Sequence, residues 1–241
     1  MLNGFRRALR GRSPPRAGRR RSAICALDSG TRALRRRDLE AARSAFEAAA
    51  KADPDCAPAW NNLGVVLDRA RSPEDALNAF NRALKLCPSF VDAWCNKGVV
   101  LLRLGRDDRA AECFDTALGL DPHSPLALMN LGVLRARQDD PIGAMDLFER
   151  SLKEDPAYAP SWVNLGSALL ELGDIERALQ CYNTALRRRP EYAEAWLQKG
   201  RALLESGKPG DARFCFERAL QARPSLSDAK AALAALPEAG S

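Results

Sequence analysis

A single histidine, His123, stands among 241 residues, so neither a pair of catalytic imidazoles nor a histidine-based metal set is available. It lies between Pro122 and Pro125 and is read as a solvated loop residue with no function. The seven cysteines are odd in number and never spaced C-x-x-C, which fits reduced thiols better than a disulfide framework or a zinc ribbon. Cys113, Cys181 and Cys215 read as small apolar core fillers, and Cys95 as a small residue facing outward from its helix, with a reactive thiol as the alternative. No P-loop, no G-x-S-x-G, no G-x-G-x-x-G and no spaced carboxylate pair occurs, so catalysis, cofactors and metals are not expected.

Asparagine and arginine carry a different chemistry. Asn62, Asn96, Asn130 and Asn164 recur every 34 residues, with Asp28 and Gln198 at the ends of the same column. A primary amide both donates and accepts, so a row of them can pair with an extended peptide backbone without reading its side chains. Packing between neighbouring units is the alternative use of that column. A second column reads Arg35, Arg69, Arg103 and Arg137, then Glu171 and Glu205. Two readings stay open: a charged strip that orients an acidic segment and speeds its encounter, or cations that offset helix dipoles by about 0.3–1 kcal/mol each.

The interval of 34 identifies the elements that must position these side chains. From Ala23, the eighth place of every unit is glycine (Gly30, Gly64, Gly98, Gly132, Gly166, Gly200) and the twentieth is alanine (Ala42, Ala76, Ala110, Ala144, Ala178, Ala212). The twenty-fourth is Phe46, Phe80, Phe114, Phe148, Tyr182 and Phe216, the twenty-seventh is alanine except at Ser151, and the thirty-second is always proline. Within 159–192, Trp162, Leu165 and Leu169 recur at helical spacing, the run breaks at Gly173, and Ala178, Tyr182, Ala185 and Leu186 follow until Pro190. This spacing predicts helix, turn, helix and stop. The small columns mark where two helices approach closely, and the aromatic column fills the space between them. Pro73, Pro141 and Pro209 fit the first turn of a second helix, with Ser72 and Asp140 as N-caps.

These columns resemble the tetratricopeptide repeat, matched in phase six times over 23–226 (23–56, 57–90, 91–124, 125–158, 159–192 and 193–226). The resemblance implies an all-α fold: an α-solenoid of six helix-turn-helix units, followed in 227–241 by a C-terminal capping helix and a frayed end. Leu233 and Leu236 would face the array and Lys230 the solvent. Leu128 and Arg135 depart from the pattern in unit four. In this family the first helices line a concave groove, which places both columns there, over an apolar floor that includes Val65, Val99, Met129, Val133, Leu102, Leu170 and Leu204. The expected function is a protein-interaction adaptor or scaffold that grips an extended segment of another protein, with acidic character. The lysine clamp for chaperone C-terminal carboxylates is absent, since its places read Asn61 and Val65, Cys95 and Val99, Met129 and Val133. In a glycosyltransferase with this repeat a similar asparagine ladder holds the substrate backbone. A docking or regulatory subunit of such an enzyme, carried on a separate chain, is the alternative.

Charge is unevenly placed. Eight of the 37 basic residues and no acid fall in residues 1–22, so the net charge of +6 belongs to this stretch and the remainder is slightly acidic. Residues 1–22 are read as a basic, disordered tail or targeting segment, similar in composition to a mitochondrial transit peptide. A third reading makes this arm a binder of anionic lipid or RNA. The expected compartment is the cytoplasm, or the mitochondrion if the organism is eukaryotic and the tail is a transit peptide. Oligomeric state is not encoded in any of these features.

Overall fold

The structure is a computed structural model that describes residues 16–236. Among these residues there are thirteen α-helices and no strand. Two groups of helices are distinct. The first ends at Leu104 and holds α1 (Arg16–Arg35), α2 (Leu39–Ala52), α3 (Ala57–Arg69), α4 (Pro73–Leu86) and α5 (Val91–Arg103). The second begins at Gly105 and holds α6 (Asp107–Leu120), α7 (Pro125–Arg137), α8 (Pro141–Glu154), α9 (Ala159–Glu171), α10 (Ile175–Arg188), α11 (Ala193–Glu205), α12 (Pro209–Ala222) and α13 (Ser227–Ala234). Helix α1 includes residues 16–22, which the sequence reading assigned to the tail; the transit-like stretch 1–15 lies outside the described residues.

Within the first group α1 pairs with α2 and α3 with α4, and within the second α7 pairs with α8, α9 with α10 and α11 with α12. The glycine and aromatic columns explain the pairing. Phe46, Phe80, Phe148, Tyr182 and Phe216 are at most 1% exposed. A β-carbon added to Gly64 would stand 2.6 Å from Cε1 of Phe80, and one on Gly132 2.6 Å from Cε1 of Phe148. Only glycine lets the ring seat on the facing helix, and each buried ring contributes roughly 1.5–3 kcal/mol.

Hairpin geometry is set by the fifteenth place of each unit, where Arg37, Arg71, Gly105, Asp139, Gly173 and Gly207 all adopt positive φ between 58° and 81°. After it the chain makes the same closing bond in unit after unit, among them Ser72 N–H to the Leu67 carbonyl (2.9 Å), Asp140 N–H to Arg135 (3.1 Å), Asp174 N–H to Leu169 (2.9 Å) and Lys208 N–H to Leu203 (2.9 Å). This is the Schellman pattern of a left-handed C-terminal residue. The second helices then start with proline at Pro73, Pro141 and Pro209. Asp140 caps α8 through Gly143 N–H (2.9 Å). Ser72 makes no side-chain cap, contrary to expectation: its hydroxyl plays no part in starting α4.

Successive hairpins are joined by a repeated latch. The indole Nε1–H of Trp60, Trp94, Trp162 and Trp196 donates to the carbonyl of the proline six residues earlier, at 3.0, 2.8, 3.0 and 2.8 Å. Unit four has Leu128 at this place, 1% exposed, and uses burial instead. Helix α13 packs on α12, with Leu233 and Leu236 against the buried Ala229 and Lys230 exposed.

Candidate functional site

Asn62 and Asn96, on α3 and α5, are half-buried and joined through a residue that the column did not contain. Asn96 Nδ2 donates to Asn61 Oδ1 at 3.0 Å, and Asn61 Nδ2 approaches Asn62 Oδ1 at 3.4 Å. Asn61, 6% exposed, was noticed in the sequence only as a missing clamp lysine. An amide at the fifth place beside an amide at the sixth is the signal that could have found this chain. In the second group Asn130 on α7 is also 6% exposed, but its Nδ2 has no hydrogen-bond partner. Asn164 on α9 is half-buried.

The arginines are the last residues of their helices, Arg69 in α3, Arg103 in α5 and Arg137 in α7, where a cation meets the negative end of the dipole. Two of them also join neighbouring units. Arg103 pairs with Asp68 on α3, and Arg137 Nε lies 3.2 Å from Asp107 Oδ2 on α6. Asp68 and Asp107 are both partly buried, so these pairs are better shielded than the helix-surface pair Arg32–Asp28. Arg69 is exposed and makes no ion pair among the described residues; with Arg71 and Arg103 it borders a cleft of about 430 Å³.

Val65, Val99, Met129 and Val133 are all half-buried, as residues are when one side packs inward and the other stays available. Of the rest of the expected floor, Leu102 is 8% exposed, whereas Leu204 reaches 36%. Cys95 corrects the sequence reading: it is fully buried and faces no open surface. Cys113, Cys181 and Cys215 are buried too, and desolvation pushes the Cys181 thiol up to about 11. A thiol held protonated in this way is a packing residue rather than a nucleophile. His123 is exposed, and its Nδ1 lies 2.9 Å from Glu154 Oε1, which raises its pKa above the usual histidine value. Among the described residues no cluster of three or more His, Cys, Asp or Glu side chains could hold a metal, and no helix is long and apolar enough to cross a membrane.

Known proteins place this architecture. A tetratricopeptide repeat family model matches residues 27–89, 66–125, 95–159 and 163–227, and a second matches 135–188. No curated protein matches the chain. Among solved structures it is similar to the APC/C hetero-tetramer Cut9–Hcn1 (TM-score 0.78, 23% identity), covering 89% of this chain and 42% of that one. The chain thus spans less than half the length of that relative. It is also similar to PilW, described as a widely conserved type IV pilus biogenesis factor (TM-score 0.68, 24% identity, 88% of this chain and 98% of that one). Pseudomonas aeruginosa pilF is a third (TM-score 0.66, 21% identity, 90% and 99%). Identities at this level speak for the fold alone, an all-α solenoid. With repeat models matching most of its length, the chain belongs to the tetratricopeptide repeat family.

Proposed function

We propose that this chain is a protein-interaction scaffold that holds an extended segment of another protein on its first-helix surfaces, without catalysis of its own. Tetratricopeptide repeat proteins bind other proteins and are typically non-catalytic. The observation that carries the reading is Asn130. Its amide is almost fully buried, yet Nδ2 has no acceptor, a condition that costs roughly 1–3 kcal/mol. Turning the amide about its last torsion sacrifices no bond at Nδ2 and offers the donor to an incoming peptide carbonyl. Met129 and Val133, half-buried on the same helix, supply apolar contact beside it.

Acidic character in the partner is favoured chiefly by Arg69, because Arg103 and Arg137 already neutralise carboxylates of this chain. The test is affinity capture with Asn130→Ala. Partner binding is expected to weaken about tenfold, the worth of one hydrogen bond to a buried group. The melting temperature should hold or rise, since no internal bond at Nδ2 is lost. Wild-type capture by a folded variant would reject the proposal.

A further inference from the structure

The turn between α3 and α4 holds an arginine where the backbone asks for glycine. Arg71 has a φ of 62°, a conformation that a β-carbon disfavours and that glycine adopts freely. The same place is Gly105, Gly173 and Gly207 in other units. The Arg71 side chain does not offset this cost within the fold, for its guanidinium is exposed and makes no ion pair among the described residues. A long side chain kept on a disfavoured backbone points to a use outside the fold.

Arg71 opens onto the cleft of about 430 Å³ that Asp68, Arg69, Pro73, Arg103 and Leu104 also border. The cleft lies where the C-terminal ends of α3 and α5 meet the start of α4. Its charge is decided by three arginines against one aspartate, which Arg103 already engages. Two helix C-termini subtract about half a charge each and the N-terminus of α4 returns about half, so a surplus of about 1.5 positive charges is left. Glu74 and Asp75, in the first turn of α4, do not border the cleft, and Asp75 lies within electrostatic reach of Arg43 on α2.

The lining also selects among anions. None of the bordering residues is aromatic, so a nucleic-acid base finds no ring to stack on. Pro73 and Leu104, the latter 36% exposed, offer aliphatic surface to the methylene stem of a glutamate. Arginine fills both the thirteenth and the fifteenth place only in units one and two, as Arg35 with Arg37 and Arg69 with Arg71. Arg35 and Arg37 are exposed and make no ion pair among the described residues. A positive edge two hairpins long suits a short acidic run.

We propose that this cleft docks consecutive acidic residues of the partner segment, with Arg69 and Arg71 as the residues that read them. The proposal rests on the scaffold reading and names where the partner's acidic character is recognised.

The test follows the backbone amide resonances of Arg71, Ser72 and Leu104 in the full chain at low ionic strength, where exposed charges are least screened. The probe is the end-blocked peptide Gly-Glu-Glu-Glu-Gly, with Gly-Gln-Gln-Gln-Gly and a short oligothymidylate as comparisons. The three resonances are expected to shift with the glutamate peptide and to stay in place with the glutamine peptide. Arg71→Ala and Arg69→Gln should each weaken the glutamate peptide about fivefold, the worth of one close charge pair in water, and the double variant more than tenfold. The melting temperature should hold in both single variants, since neither guanidinium is paired within the fold. Asn130→Ala should leave the titration unchanged, because Asn130 belongs to the second group of helices. Partner capture lost in Asn130→Ala, with no peptide response at the cleft, would reject this site and leave the scaffold reading standing. No shift with the glutamate peptide, an equal response to the glutamine peptide, tighter binding of the oligothymidylate, or wild-type binding by the folded double variant would overturn the proposal.

Discussion

Two side chains that break their columns, Ser151 and Tyr182, are each matched by a second change nearby. Ser151 Oγ donates to the Pro125 carbonyl (2.9 Å) and lies 2.7 Å from Ser161 Oγ, with both serines fully buried where the other units have alanine, except for Cys25 at the place of Ser161 in unit one. Ser161 therefore depends on Ser151, whereas Ser151 keeps its carbonyl without Ser161. Ser151→Ala is expected to cost about 1–3 kcal/mol, Ser161→Ala less, and the double variant less than Ser151→Ala alone. Urea denaturation checks the order, and equal costs for the single variants would contradict it. The Tyr182 hydroxyl lies 3.3 Å from Ser167 Oγ, and burial pushes its pKa up to about 12. The folded state thus holds its proton more tightly than the unfolded chain, so this part of stability is full below about pH 10 and lost as pH rises toward 12. In Tyr182→Phe, stability should fall less steeply over that window, by an amount on the order of 2 kcal/mol. An unchanged alkaline profile would contradict it. The sequence marked both exceptions, but their partners sit 10 and 15 residues away on other helices and follow no period. Arg103 and Arg137 were unreadable for the same reason: their carboxylates come from neighbouring helices.

At the scale of helices, legibility was highest where one residue type satisfies a steric demand in every unit. The glycine and aromatic columns gave the hairpin packing, and the prolines gave the starts of α4, α8 and α12. The left-handed turn was only partly legible, since Arg37, Arg71 and Asp139 occupy it alongside three glycines. Gly173 has open space around the missing β-carbon, so its constraint is purely conformational. Gly173→Ala should cost about 1 kcal/mol, while Arg71→Ala, already paying the left-handed penalty, should stay within about 0.5 kcal/mol. Thermal denaturation of the two variants decides between a backbone requirement and a side-chain role at this place. Packing gives a stronger effect: Gly132→Leu would drive a side chain into Phe148 and is expected to cost about 1–3 kcal/mol. A neutral result would mean that α7 and α8 do not approach as closely as described.

For the molecule as a whole, the framework that makes the family recognisable is separable from the surfaces that select a partner. Glycine, alanine, aromatic and proline columns repeat because every hairpin solves the same packing problem. One exception to the repeating framework lies where function is proposed, at the amide of Asn130. It could not be read from the sequence, because that requires knowing that Nδ2 lacks an acceptor. The central claim is that partners bind first through the first-helix surface. Site-specific photo-crosslinking in cells of the source organism tests it directly, with the photoreactive residue at half-buried Val133 on α7 or at Ile142 on α8, which is 74% exposed. The expected result is a partner protein crosslinked from position 133 along one extended segment, with loss of the adduct in Asn130→Ala. A partner crosslinked from position 142 and none from position 133 would contradict the account.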